Sequence, residues 1–215
     1  MKVMKQKAQV VILCGGRGTR LKPVTDEIPK PLIQLNGKPI LDYIIDFYRM
    51  NGFSRILLCV GYKGEKIRQH YRKSPRGMKL SFADAGETAS MLNRLWMIRD
   101  EVEDTFFVSY GDTLIDLDIQ KLRKEHVRRG ASATIVSAKI RNPFGLIAFD
   151  NKGWVKSFVE KPLLNYYIGS FVLERSVLKK VPAKSLGLND GQGLVHFFLS
   201  LIRRKKLAVF EHGGL

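Results

Sequence analysis

Apolar and polar positions follow each other along this chain in blocks whose period switches between strand-like and helix-like. Residues 9–13 carry a continuous apolar run that ends in glycines, which predicts a strand buried on both faces. In residues 39–50, Ile40, Leu41, Ile44, Ile45, Phe47 and Tyr48 recur at helical spacing, Pro39 suits a first helical position and Gly52 can end the helix. Residues 55–60 predict a second buried strand, 64–71 a weak helix, 79–83 a short strand and 88–99 another helix. A third strong strand follows at 105–109, then an amphipathic helix at 119–129, capped by Asp118 and closed by Gly130. Strand and helix units repeated at this interval predict an α/β fold with a mainly parallel sheet flanked by helices on both sides.

After residue 131 the texture changes. Residues 133–138, 145–149, 155–159 and 168–173 read as closely spaced strands, with Asn151-Lys152-Gly153 as a hairpin turn, and 207–210 reads as a further strand. A small α+β lobe is expected here, packed onto the first part. No linker, low-complexity segment or repeat separates the two, so 1–215 is expected to form a single domain that divides near residue 130.

Composition narrows the classes. At 215 residues, 45% hydrophobic and 27% charged, the chain can bury a sizeable core and does not read as disordered. No apolar run approaches the ~20 residues of a membrane helix. The run at 10–13 meets glycines too early for a secretory signal. Cys14 and Cys59 have no ligand-like neighbours, which argues against a disulfide framework or a zinc site. The cytoplasm is the expected compartment. A net charge of +17 could attract nucleic acid or small polyanionic substrates. The basic residues lie in short runs (Arg72-Lys73, Arg128-Arg129, Lys179-Lys180 and 203–206) with no interleaved aromatics and no nucleic-acid module. A solvated basic surface is therefore favoured over a nucleic-acid partner. The histidines His70, His126, His196 and His212 lie on polar stretches and read as surface residues.

The candidate chemistry begins where the first strand ends. Leu13-Cys14-Gly15-Gly16-Arg17-Gly18-Thr19-Arg20-Leu21 follows it directly. Glycines at 15, 16 and 18 let the backbone turn tightly, so that amide N–H groups can point at phosphate oxygens. Arg17 and Arg20 can hold phosphate oxygens in a fork. The spacing matches neither a Walker A loop nor a dinucleotide fingerprint, and alone it fits a ligand cradle and a plain tight turn equally well. The continuation adds Pro23, Thr25 and Pro29-Lys30-Pro31-Leu32. The whole stretch 15–32 resembles the signature of the sugar-1-phosphate nucleotidyltransferase family (nucleotide-sugar pyrophosphorylases), matching it at every fixed position. That resemblance implies a Rossmann-like sheet with a sugar-binding lobe, Mg²⁺ as cofactor, and a nucleoside triphosphate and a sugar 1-phosphate as partners. It also implies a homo-oligomer by family habit, and no membrane partner. Physically, Pro29 and Pro31 restrict the backbone on either side of Lys30, so a pre-set ammonium can meet the charge between two bound phosphates.

Later motifs fit the same resemblance. Tyr110-Gly111-Asp112 ends the third strong strand, where open α/β sheets bind ligands. A lone Gly-Asp there also fits a turn or a helix cap, but one carboxylate suits Mg²⁺, which fills its octahedron with phosphate oxygens and water. The resemblance assigns the metal to Asp112, the catalytic roles to Arg20, Lys30 and Asp112, and nucleotide binding to Leu13, Gly15, Gly16, Arg17, Gly18, Thr19, Thr88 and Gly111. Thr88-Ala89-Ser90-Met91-Leu92 looks like the family segment beside the nucleobase and departs from it at Glu87 and Ser90. Phe144-Gly145-Leu146-Ile147, Val159-Glu160-Lys161-Pro162 and Tyr167-Ile168-Gly169-Ser170-Phe171 resemble further family segments. By that resemblance Gly145 and Gly169 present backbone groups to sugar hydroxyls, Glu160 accepts hydrogen bonds from the sugar and Lys161 neutralises its phosphate. Tyr110-Gly111-Asp112 together with Asp116-Leu117-Asp118-Ile119 is similar to the cytidylyltransferase branch, which favours CTP and leaves UTP, dTTP and GTP open. In the family an Asp after a strand like 207–210 commonly gives the metal a second carboxylate. Nothing after Phe210 matches it, and Asp190 in Asn189-Asp190-Gly191 reads as a turn residue. Within residues 1–215 Asp112 is therefore expected to be the single strong metal carboxylate, unless residues beyond 215 supply a second. A non-catalytic nucleotide-sugar sensor is the alternative reading.

Overall fold

The computed structural model describes residues 9–73, 78–189 and 191–213. The first half contains β1 (Gln9–Leu13), α1 (Val24–Glu27), the two-residue strands β2 (Gln34–Leu35) and β3 (Lys38–Pro39), α2 (Ile40–Met50) and β4 (Arg55–Val60). It continues through α3 (Gly64–His70), β5 (Lys79–Asp84), α4 (Met91–Met97), β6 (Thr105–Tyr110) and α5 (Ile119–Arg129). The second half adds β7 (Ala133–Arg141), β8 (Leu146–Phe149), β9 (Val155–Val159) and β10 (Leu163–Glu174). It ends with α6 (Arg175–Leu178), α7 (Ala183–Leu186), α8 (Gln192–Arg203) and β11 (Leu207–His212).

Seven strands form one sheet in the order β11-β7-β10-β6-β1-β4-β5. β1 pairs parallel with both β4 and β6, β4 with β5, and β7 with β11, while β10 runs antiparallel to β6 and β7. The second half thus joins the first through the sheet itself, at the β6–β10 pairing.

The apolar runs explain this arrangement. All five residues of β1 are buried, and alternate side chains feed two cores. Val10 and Ile12 pack with Leu41 and Ile44 of α2 and Leu122 of α5. Val11 and Leu13 pack with Leu92 and Leu95 of α4 and Leu194 and Phe197 of α8. Each such side chain stabilises the fold by roughly 1.5–3 kcal/mol relative to exposure, so helices on both faces are what a doubly apolar strand requires.

Several expectations shift in detail. The helix expected at 88–99 starts at Met91, because the Ser90 hydroxyl accepts from the Asn93 amide at 3.2 Å and caps it. Thr88 and Ala89 are left in the preceding loop. Pro39 precedes α2 rather than opening it. β10 is longer than the expected 168–173 and carries a register shift between Tyr167 and Phe171. Asp118 and Gly130 cap α5 as expected. The 151–153 turn forms too, with Asp150 N donating to Trp154 O at 3.0 Å. The β8–β9 ribbon it closes is exposed along its whole length.

One surface assignment is wrong. His126 is 2% exposed, with Nδ1 2.8 Å from Thr134 Oγ1 and Nε2 2.9 Å from Glu174 Oε1. It lies on the same face of α5 as Ile119 and Leu122, so helical spacing carried the signal that local polarity hid. His70 and His196 are exposed, and His212 is half-buried. Asp190 lies outside the described residues. Among those described, no helix is long and apolar enough to cross a membrane.

Candidate functional site

β1 and β6 are parallel neighbours in register at Leu13 and Tyr110. The chain leaves β1 towards β4 on one side and returns to β6 on the other, so the strand order reverses between them. The loops after β1 and β6 therefore flank a crevice at the carboxyl ends of the strands. Gly111 N donates to Leu13 O at 3.0 Å, which ties the two loops together at their roots.

The glycine-rich loop folds against its own continuation. Gly18 has φ 62, a left-handed conformation, and begins a single 3₁₀ turn over Thr19–Leu21. An added Cβ at Gly18 would lie 3.0 Å from Thr25 Cγ2 and 3.2 Å from Lys30 Cβ. Thr25 is 1% exposed, and its hydroxyl donates to Gly18 O at 3.2 Å. Lys30 opens a second 3₁₀ turn, Lys30–Leu32, held by Leu32 N donating to Pro29 O at 2.8 Å. From there its ammonium reaches Asp112 Oδ2 at 2.6 Å.

These segments enclose a cavity of about 600 Å³. Its wall holds Leu13, Gly15, Gly16, Arg17, Gly18, Thr19, Thr88 and Gly111, together with Arg20, Lys30 and Asp112. Every residue expected at the nucleotide or the metal is thus brought to one place. The sugar-side residues are not. Gly145, Glu160 and Lys161 stand at the root of the exposed ribbon and are absent from that wall. Gly145 and Glu160 are neighbours there: an added Cβ on Gly145 would lie 3.3 Å from Glu160 Oε2. Glu160 and Lys161 form an exposed ion pair at 3.8 Å. Gly169 sits in the irregular stretch of β10 against the ring of Tyr110, which itself lines the cavity.

The wall carries four cations, Arg17, Arg20, Lys30 and Arg94, against two carboxylates, Glu87 and Asp112. Such a surface suits a polyanion. Asp112 is partly exposed and offers a hard oxygen ligand, and among the described residues no group of three potential ligands forms a self-sufficient metal cage. The residues therefore fit Mg²⁺ held by one carboxylate plus phosphate oxygens and water. Cys14, at the loop's start, is buried, and that burial, then the neighbouring Cys59 and Asp112, hold its thiol well above the ordinary value.

Two features of the site escaped sequence reasoning. Arg94 is 3% exposed beneath the glycine loop, where an arginine in an apolar helical segment gives no sign of its distant partners. Glu87, a departure from the family pattern, is paired with Arg17 at 3.1 Å. Arg17 also lies over the Tyr62 ring, 5.4 Å from its centroid. Because exposed ion pairs contribute only about 0.2–1 kcal/mol, Glu87→Gln is expected to tighten triphosphate binding by about 1.5- to 5-fold as Arg17 is released. Calorimetry with the two proteins measures this, and weaker binding by Glu87→Gln would show that Glu87 contacts the ligand itself.

Comparison with known proteins agrees with this geometry. The family model for nucleotidyl transferases matches residues 9–193. A Bacillus subtilis protein named "Probable glucose-1-phosphate cytidylyltransferase" is 31% identical, over 96% of this chain and 89% of its own. A UTP–glucose-1-phosphate uridylyltransferase of Synechocystis is 29% identical, over 81% of this chain and 51% of its own. The crystal structure of HddC from Yersinia pseudotuberculosis superposes with a TM-score of 0.73 at 25% identity, covering 95% of this chain and 90% of that one. With the signature folded around a cavity of about 600 Å³ at the sheet's switch point, and the family model spanning most of the sequence, the chain belongs to the nucleotidyl transferase family.

Proposed function

We propose that this enzyme transfers a nucleotidyl group from a nucleoside triphosphate to a sugar 1-phosphate and releases pyrophosphate, with CTP as the favoured triphosphate. The observation that carries this reading is the meeting of Lys30 and Asp112 at 2.6 Å beside the glycine loop. It puts an ammonium and a carboxylate able to take a metal at one point of a cavity large enough for a nucleotide. CTP is favoured by the Tyr110-Gly111-Asp112 and Asp116-Leu117-Asp118-Ile119 segments and by the cytidylyltransferase name of the Bacillus relative. The uridylyltransferase name of the Synechocystis relative keeps UTP in the test.

A sugar phosphate oxygen attacks the α-phosphorus in line, the new P–O bond forms, and the bond to the pyrophosphate oxygen breaks. The nucleophile is already anionic, so no general base is required. The protein's task is to position two polyanions and offset their repulsion. Arg20 and the amides of the glycine loop hold the β- and γ-phosphates, and Lys30 bridges the charge between the two substrates. Asp112 would hold Mg²⁺, which would supply positive charge to offset that of the triphosphate. Gly145, Glu160, Lys161 and Gly169 are assigned to the sugar phosphate, with the nucleotide-binding part over about 1–130 and the sugar-binding part over 131–215.

Pyrophosphate release, measured over a matrix of triphosphates and sugar 1-phosphates, tests the proposal. Turnover is expected only with triphosphate, sugar 1-phosphate and divalent cation together, and fastest with CTP. Clear nucleotide binding without turnover for any pairing would instead identify a sensor.

A further inference from the structure

Arg94 is the one fully buried cation in the cavity wall, and nothing in the signature accounts for it. It sits on α4, yet its guanidinium reaches two loops and the end of β4. Nη2 donates to Gly15 O at 3.1 Å and to Gly86 O at 2.9 Å, and Nη1 donates to Val60 O. Those carbonyls follow or end β1, β5 and β4, three strands adjacent in the sheet. One planar group therefore holds the carboxyl ends of three strands in register. The space for it exists only because two neighbours lack side chains. A Cβ at Gly15 would lie 2.2 Å from Arg94 Cζ, and one at Gly61 would lie 2.4 Å from Nη1.

The consequence for the loop follows from peptide geometry. Gly15 O is held by two donors, Arg94 Nη2 at 3.1 Å and Tyr62 N at 3.1 Å. In a planar trans peptide the N–H points opposite to the C=O of the same unit, so holding Gly15 O against Arg94 and Tyr62 turns Gly16 N–H away from both, and Gly16 lines the cavity. A buried guanidinium also acts through a poorly screening medium, and it needs no ordering when ligand binds. Arg17, by contrast, is exposed and engaged with Glu87.

We infer that Arg94 is a positioning residue for the triphosphate: it holds the glycine loop with the Gly16 amide facing the phosphates and sets a fixed positive charge beneath them. This rests on the proposed triphosphate site, but it concerns binding and stands whichever base or sugar is used.

The test compares wild type, Arg94→Met, Arg94→Lys and Gly61→Ala. Gly61 is outside the cavity wall, and the three atoms nearest to a methyl group there all belong to the Arg94 guanidinium. Kd for CTP and UTP is read by calorimetry, and KM for triphosphate and for sugar 1-phosphate is read separately. Arg94→Met is expected to raise the triphosphate Kd and KM by about 10-fold or more, the scale of a lost charge-assisted hydrogen bond, with the sugar 1-phosphate KM within about 2-fold of wild type. Arg94→Lys is expected to fall in between, since it keeps the charge and loses the fork. Gly61→Ala should weaken triphosphate binding alone, and adding it to Arg94→Met should cost nothing more. Unchanged triphosphate binding in a folded Arg94→Met protein overturns the inference. So does an equal rise in both KM values, which is what general loosening would produce. If Arg94→Met fails to fold, Arg94→Lys and Gly61→Ala decide by the same readouts. An absence of turnover in wild type would defeat the proposed reaction while the calorimetric comparison still judged Arg94.

Discussion

Asp112→Asn is expected to lower kcat by about 10³-fold with the fold intact, the upper range for losing one element of transition-state charge stabilisation. Asp112 stands just beyond the end of β6, and its side chain is 29% exposed. Asparagine has the same shape and can still accept the weak bond that Thr113 Oγ1 makes to Oδ1 at 3.3 Å. What it loses is the negative charge that a divalent cation needs. Because Glu87 is the only other carboxylate in the cavity wall and is paired with Arg17, no second ligand stands ready to compensate among the described residues. Higher Mg²⁺ should therefore recover little activity. The Lys30 ammonium lies 2.6 Å from Asp112 Oδ2 and offsets its charge, so a calorimetric titration of Mg²⁺ is expected to find only weak binding unless triphosphate is added. Tight binding that survives Asp112→Ala would reveal another carboxylate at the site. Near-normal turnover by Asp112→Asn at saturating metal would remove Asp112 from the mechanism.

What could be read from the sequence follows how locally each feature is determined. β1, β4 and β6 are visible because a strand buried on both faces is apolar at consecutive central positions (10–13, 56–60 and 106–108), and so short a run before glycines fits a strand better than a helix. The ends of α5 were visible because Asp118 and Gly130 are chosen by backbone chemistry within one turn. The start of α4 was missed because Thr88 and Ser90 can each cap a helix, and only the tertiary placement of Thr88 at the cavity selects Ser90. The nucleotide half of the site was legible as a continuous signature whose parts touch one another: Gly18, Thr25 and Lys30 pack together within 12 residues of sequence. Arg94 was not, because its acceptor at Gly15 lies 79 residues away and no local pattern distinguishes a buried arginine from a solvated one. The ribbon shows the same limit from the other side. Its strands are expected from their close spacing and the Asn151-Lys152-Gly153 turn, but spacing does not encode what a ribbon packs against, and both strands are exposed throughout.

Lys30→Ala should reduce turnover by at least ~100-fold while barely changing stability, and that separation is the point of the experiment. The lysine's backbone is set by its neighbours: Pro29 is extended at φ −62 and ψ 140, Pro31 is buried, and Ile33 N donates to Lys30 O at 3.1 Å. None of these contacts needs the side chain. The ion pair it forms with Asp112 is partly open to water, with side-chain exposures of 27% and 29%, so its loss costs no more than about 1 kcal/mol of stability. The carboxylate left behind can be solvated from the cavity. During reaction, however, the same position faces two bound polyanions whose repulsion is greatest as the new bond forms, and a mobile water dipole is a poor substitute for a pre-set ammonium. Lys30→Arg should recover only part of the rate, because the planar guanidinium cannot place a compact charge in the slot between Gly18 and Asp112. Thermal melts and steady-state kinetics on the same preparations read the two effects separately. Near-normal kcat in a folded Lys30→Ala protein would show that the Lys30–Asp112 pair serves the resting structure alone.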